Sequence, residues 1–287
     1  MRYLTQHWSA DPFLVVVLVL AAWHEIGLAR GAAPRLRSLW FYAGLVVALI
    51  AVDSPIEYWS ERYFFVHMLQ HLLLMFAAPS LIVAGAPWQA FRDALGGRVR
   101  LPLGIFLRPW VSVALFNAVM IFWHLPGPYD TAVRDCAWLL HGSYLVAGIL
   151  FWLQFIPSPP FRRRMPLLSQ ALALILTNLV MIGLAMALSI FASHSLYSIY
   201  QNVPDVTLPP FADQQIGAAI LWVCGDFWAV PAMIVIVRQL VETEGGVGVA
   251  LDRILNRGAA GPGWASRGTG TIAELTSQRS APPDAGS

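Results

Sequence analysis

Seven stretches of this chain are apolar enough to cross a lipid bilayer, and no other feature limits its fold so strongly. They run roughly over residues 12–29, 38–53, 63–84, 108–125, 136–155, 166–191 and 214–238. A spanning helix needs roughly 20 such residues, so the second stretch is the weakest of the set. Backbone N–H and C=O groups inside lipid find no water, and a helix satisfies them within its own segment. The expected fold is therefore all-α: a polytopic membrane protein, a bundle of about seven transmembrane helices. Composition leaves little alternative. The chain is 57% hydrophobic and only 12% charged, with mean hydropathy +0.62. Soluble domains carry about 25% charged residues.

The charges fix an expected orientation. All 18 basic residues are arginine. Arg30, Arg35 and Arg37 follow the first span, and Arg92, Arg98, Arg100 and Arg108 the third. Arg162, Arg163 and Arg164 follow the fifth, and Arg238, Arg253, Arg257, Arg267 and Arg279 the seventh. Only Arg2, Arg62 and Arg134 lie on the opposite set of segments, together with Asp11, Asp53, Glu57, Glu61, Asp130, Asp135, Asp205 and Asp213. Arginine-rich loops stay in the cytoplasm, so the N-terminus is expected outside and the C-terminus inside. Residues 1–240 read as the seven-helix transmembrane domain. Residues 241–287, rich in Gly, Ala, Ser and Pro, read as a disordered cytoplasmic tail. The first span is expected to be retained, because the basic segment follows it instead of leading it. Trp88, Phe91 and Leu95 recur at helical spacing and predict a short helix in the inner interface. The outer loop 192–213 is polar and turn-rich, and is placed to cover what lies beneath it. Two cysteines, Cys136 and Cys224, are too few for a disulfide framework.

The histidines carry the candidate chemistry. His67 and His71 share one face of the third span at i, i+4 spacing, roughly 6 and 12 Å below the outer boundary. His124 closes the fourth span at the outer surface, and His141 enters on the fifth, roughly 8 Å down. Ionisable groups in a membrane are costly and are retained for function. Several imidazoles converging at one depth suit copper, zinc or iron, and thioethers such as Met68 suit Cu(I). Each residue also has a plain structural reading. His24 beside Glu25 reads as a helix-to-helix hydrogen bond, and His194 as a loop residue. Met68, Cys136 and Cys224 read as packing. Asp226, deep in the seventh span, calls for a partner such as a histidine or Gln170. Tryptophans near span ends read as an interfacial belt.

Four segments together resemble the CtaG-type cytochrome c oxidase assembly factors, multi-span proteins of bacterial plasma membranes. They are His67-Met68-Leu69-Gln70-His71 with Ala78-Pro79 and Gly85-Ala86-Pro87-Trp88; Trp123-His124-Leu125-Pro126 with Tyr129-Asp130; His141-Gly142-Ser143-Tyr144 running to Phe151-Trp152; and Asp213-Gln214-Gln215-Ile216-Gly217 with Trp222. The resemblance covers about residues 53 to 240. It implies a non-enzymatic role in maturing a haem–copper oxidase in the bacterial plasma (inner) membrane. The expected partners are cytochrome c oxidase subunits, copper chaperones and membrane lipid, with no nucleic acid. The expected cargo is a copper ion at the outer side. His67, His71, His124 and His141 would be ligands, and Asp53, Asp213 and Met68 would attract or orient from behind them.

Other functions stay open or close on single residues. A haem-binding electron-transfer protein needs one imidazole from each of two facing helices, which His67 or His71 with His141 would supply. A metal or ion transporter needs ionisable groups across the membrane, and only His24, Glu25 and Asp226 lie deep. A retinal protein needs a lysine amine, and the chain has no lysine. A zinc protease of the HExxH kind needs a second histidine after His24-Glu25, and none follows.

Overall fold

A computed structural model describes residues 8, 12–29, 35–94, 104–161, 165–246, 248, 249, 251, 252 and 256 of the 287-residue chain. The described residues are helical, without strands. The helices are α1 (Pro12–Ala29), α2 (Arg35–Asp53), α3 (Pro55–Ser60) and α4 (Phe64–Leu72). A π-helical turn (Leu73–Ala77) joins α4 to α5 (Ala78–Gly85) within one span. Then come α6 (Trp88–Ala94), α7 (Pro109–Trp123), α8 (Pro126–Asp135), α9 (Ala137–Trp152), α10 (Leu167–Ser189) and α11 (Pro210–Glu244).

Five of the expected spans are long and apolar enough to cross a bilayer: Pro12–Ala29, Leu36–Asp53, Phe64–Gly85, Leu167–Ser189 and Pro210–Thr243. The second, shortest in sequence, is among them. The fourth and fifth fall short as single helices. The 15 residues of α7 and 16 of α9 reach about 22 and 24 Å at 1.5 Å per residue, against a hydrocarbon core of about 30 Å. A proline explains the first shortfall. Pro126 opens α8, and the residue before a proline is pushed to extended backbone. Leu125 has φ −73° and ψ 132°, and α8 leaves α7 at 82°. The segment between the fourth and fifth expected spans is therefore a helix, and α7 with α8 is a bent pair apolar enough, taken together, for a broken span or a re-entrant loop.

Pro79 explains the π-helical turn. It has no N–H to give the preceding turn, and wider local windings accommodate such a break. Here the chain meets α9 at close range. A Cβ on Gly148 would stand 2.6 Å from the Met75 carbonyl oxygen and 2.6 Å from Pro79 Cγ. The main core lies around this seam, with Met75, Phe76, Phe116, Met120 and Phe151 buried together.

Lipid offers no hydrophobic drive between helices, so packing and buried hydrogen bonds hold a bundle together. Gln154 Nε2 donates to Ser112 Oγ (3.2 Å), Asn117 Nδ2 to Thr177 Oγ1 (3.1 Å) and Trp123 Nε1 to Ser143 Oγ (2.7 Å). Asp226 is partnered by Asn178, whose Nδ2 donates to Oδ1 at 2.8 Å. The expected Gln170 turns instead to the Met165 carbonyl at 3.0 Å. His24, fully buried, lies 3.0 Å from Ser38 Oγ on α2, the structural role expected of it, while Glu25 accepts from the Tyr42 hydroxyl.

The short helix α6 forms where the spacing predicts. It is not free in the interface: Ala90 is fully buried, and Phe91 lies edge-on to His24 at 6.2 Å. Leu95 falls outside the described residues. Trp88 Nε1 donates to Ser158 Oγ at 2.6 Å.

The chain divides after Val237 into two units. In the second, Arg238 Nε donates to Glu242 at 2.9 Å, and Gly245 and Gly246 take positive φ of 78° and 114° just past the end of α11. Most of the stretch expected as a tail lies outside the described residues.

The two glycines of α9 make a test of this packing. Gly148→Ala should destabilise by about 1–3 kcal/mol, the usual cost of overpacking. At Gly142 an added Cβ meets nothing within 4 Å, so Gly142→Ala should be neutral or gain up to about 1 kcal/mol from helix propensity. Thermal melts of the two variants in detergent separate these signs.

Candidate functional site

Helix α4 carries the centre of the site, and two devices set its place. Its first turn leaves N–H groups without helical acceptors. Asp213, in the first turn of α11, accepts from Phe64 N (2.7 Å) and Phe65 N (3.0 Å). A carboxylate at a helix N-terminus also meets the positive end of the helix dipole. The second device is Gln70, fully buried, whose Nε2 donates to the Ala51 carbonyl (2.8 Å) and to Glu57. These bonds tie α4 to α2 and α3. The approach of α11 is close as well: a Cβ on Gly217 would stand 2.5 Å from Phe64 Cδ1 and 3.1 Å from Met68 Cγ. Gln214 finishes the corner by accepting from Leu196 N (2.7 Å) and donating to the Leu188 carbonyl (2.8 Å).

The four histidines expected as ligands come together. Ring centres of His67 and His71 are 4.2 Å apart, those of His67 and His141 6.3 Å, and those of His71 and His124 5.7 Å. All four are buried, at 3–5% exposure. His124 is among the buried rings although it stands at the end of its helix. It caps α7 at the break before Pro126, and its Nδ1 lies 2.6 Å from the Met120 carbonyl oxygen.

Around the rings stands an aromatic shell. Tyr129 lies 5.0 Å from His67 and Tyr144 4.3 Å from His71, ring centre to ring centre. The loop between α10 and α11 closes over them. Tyr197 stacks on Phe64 at 4.6 Å, and its hydroxyl donates to the His124 carbonyl at 2.9 Å. Tyr200 donates to the Ser60 carbonyl (2.8 Å) and meets the Tyr129 hydroxyl at 2.7 Å. Asp130 anchors the loop by accepting from Ser198 N (3.0 Å) and Ser198 Oγ (2.6 Å). Burial, with Asp130 nearby, holds the Tyr197 phenol well above its usual pKa. It stays a donor to His124 at any physiological pH.

Inside this shell the imidazoles are short of partners. Both ring nitrogens of His67, both of His71, Nε2 of His124 and Nε2 of His141 are buried without a hydrogen-bond partner among the described residues. Among those residues, no three His, Cys, Asp or Glu side chains already stand in a metal-holding arrangement.

The remaining expected residues divide. Asp213 is committed to the backbone of α4. Met68, 1% exposed, packs with Phe64, Tyr129 and Tyr197. Asp53 is buried at the end of α2. His194 is exposed, and its Nδ1 lies 3.2 Å from Ser193 Oγ, as suits a loop residue. The tyrosines were not singled out for a role by their types and positions. Tyr144 follows His141 by three residues, on the same helical face, and Tyr197 and Tyr200 repeat that spacing in the loop. Those intervals were the available signal.

Fold and site together define a polytopic helical membrane protein built around a buried histidine cluster. Residues 13–243 match the cytochrome c oxidase caa3 assembly factor family, and the chain belongs to that family. An uncharacterized protein of Mycobacterium leprae (strain TN) is 24% identical over 277 residues, which cover 86% of this chain and 41% of that relative. The chain thus spans about two fifths of the length of the curated relative it matches. No solved structure matches it.

Replacing Asp213 tests whether that carboxylate sets α4 in place. Asp213→Ala should cost about 1–2 kcal/mol, as loss of a helix cap does. Asp213→Asn, which keeps one acceptor oxygen, should cost less. Chemical or thermal unfolding of both variants in detergent gives the order.

Proposed function

We propose that this chain is a non-catalytic assembly factor of the bacterial plasma membrane that holds a copper ion at the outer side for a caa3-type cytochrome c oxidase. The observation that carries the reading is the set of six buried imidazole nitrogens without partners. Leaving a buried polar group unsatisfied costs about 1–3 kcal/mol, so a purely structural role for four adjoining histidines would be costly. A bound cation repays that cost at a stroke, and imidazole suits copper.

The spacing of the rings supports the same reading. Metal–nitrogen bonds near 2 Å place the centres of two imidazoles on one ion about 5–6 Å apart. The separation of 5.7 Å falls within that range, and that of 6.3 Å lies just beyond it. The 4.2 Å pair is closer than that, and the two rings would have to turn about their side-chain torsions to share an ion. In this reading His67, His71, His124 and His141 hold the ion. Asp213 and Gln70 act on it indirectly, by fixing α4. Asp53 and Met68 are not ligands in this reading. Haem is the less favoured cargo, because Tyr129 and Tyr144 lie ring-to-ring against His67 and His71 where a porphyrin would need a slot.

The arginine distribution supports seven crossings, with α9 and the α7–α8 pair as the irregular ones, and an outside N-terminus. The outer half of α4 then faces the compartment from which oxidase copper centres are loaded. The partners are oxidase subunits and copper chaperones.

Two measurements test the reading. Protein purified under reducing conditions and loaded with Cu(I) should retain about one ion per chain. His67→Ala with His71→Ala should lose it, with at least a tenfold fall in retention, and cells carrying the double variant should assemble less caa3 oxidase. Retention unchanged in the double variant, or a haem absorption band in place of copper, overturns it. For orientation, a periplasmic reporter should be active when fused to the N-terminus and inactive at the C-terminus.

A further inference from the structure

Three tyrosines pack into the histidine cluster, and their hydroxyl groups differ. Tyr129 meets the Tyr200 hydroxyl at 2.7 Å, and Tyr197 donates to the His124 carbonyl at 2.9 Å. Both are occupied by the protein. Tyr144 is fully buried, and its hydroxyl has no partner among the described residues. Its ring lies 4.3 Å from His71. It projects from α9 one turn after His141, so one helix delivers both to the same place. An unpaired buried hydroxyl costs free energy as an unpaired imidazole does. The same ring packing could be supplied at that position by a phenylalanine, which would carry no such cost.

Four imidazoles and one phenol therefore converge, all with unmet hydrogen-bonding capacity. The chemistry differs between them. Neutral imidazole nitrogens bind cations through a lone pair. A neutral phenol is foremost a hydrogen-bond donor. A hydrogen-bond donor beside a metal ion serves an oxygen or nitrogen atom of a further small ligand on that ion.

We propose that Tyr144 is the recognition group for a small exogenous ligand, water or a monovalent anion, bound to the ion that the histidines hold. Its O–H donates to the ligand atom next to the metal. This rests on the copper reading above. The site is then a four-imidazole pocket with one polar position reserved for a ligand that leaves when the ion is handed on. Tyr129 and Tyr197 are the walls of that pocket, with their hydroxyls already spent on the fold.

The test uses the whole chain in detergent, loaded with Cu(II), and azide as the probe anion. Azide binding is read from its charge-transfer absorption and from the change in the copper electron paramagnetic resonance spectrum. Tyr144→Phe keeps the ring against His71 and removes only the hydroxyl. It should still load copper, and its azide affinity should fall about tenfold. Tyr42→Phe, which removes a hydroxyl committed to Glu25 between α1 and α2, should leave azide affinity within twofold of the starting protein. Equal azide affinity in Tyr144→Phe and the unaltered chain overturns the proposal. A phenolate-to-copper band in the unaltered chain, lost in Tyr144→Phe, also overturns it, since the oxygen would then be a direct ligand. Failure of the unaltered chain to load copper is a different result: it removes the copper reading and this inference with it.

Discussion

A polar group sealed inside a bilayer protein has no water to fall back on, and that constraint organises this molecule. The N-terminus of α4 meets it through the Asp213 carboxylate. The side chain of Gln70 meets it through Ala51 and Glu57. Asp226 meets it through Asn178, and His24 through Ser38. Each of these bonds joins two different helices. Together they replace the hydrophobic drive that would bring helices together in water. Against that background, the imidazoles of one cluster stand out as the place where the accounting stays open.

The cluster depends on a chain of positioning steps. Asp213 and the close approach at Gly217 set α4 against α11. The break at Pro126 brings His124 inward. The loop bearing Tyr197 and Tyr200 then roofs the cluster, hydrogen-bonded to α3, α7 and α8. No single helix makes the site. The residues that matter most for its shape, such as Asp213, Gln70 and Pro126, need not touch a cargo at all.

Much of this was legible in the residues. Apolar runs marked the five long spans, and i, i+4 spacing put His67 and His71 on one face. Matching depth brought His124 and His141 into the same reading. The illegible parts share a physical cause: they depend on partners across the bundle. Hydropathy could not show that the chain turns by 82° at Leu125-Pro126 and continues as a helix. Sequence treated Asp213 as a charge that would draw a cation, whereas its oxygens are held by backbone 148 and 149 residues away. The partner of Asp226 was sought among histidines and Gln170, yet Asn178 is the side chain that reaches it. Phenol groups at Tyr129, Tyr144, Tyr197 and Tyr200 look like ordinary aromatic content until the loop folds back.

The wide turn at Leu73–Ala77 has a consequence of its own. It separates the span into an N-terminal half that bears His67 and His71 and a C-terminal half that meshes with α9 at Gly148. A straight α-helix would lock the angular phase of those halves at about 100° per residue. The π-helical turn acts as an adjustable coupling between them. Lengthening or shortening that stretch by one residue would swing the histidine face around the axis while the lower gearing stayed engaged, so aim and anchorage can drift apart in evolution.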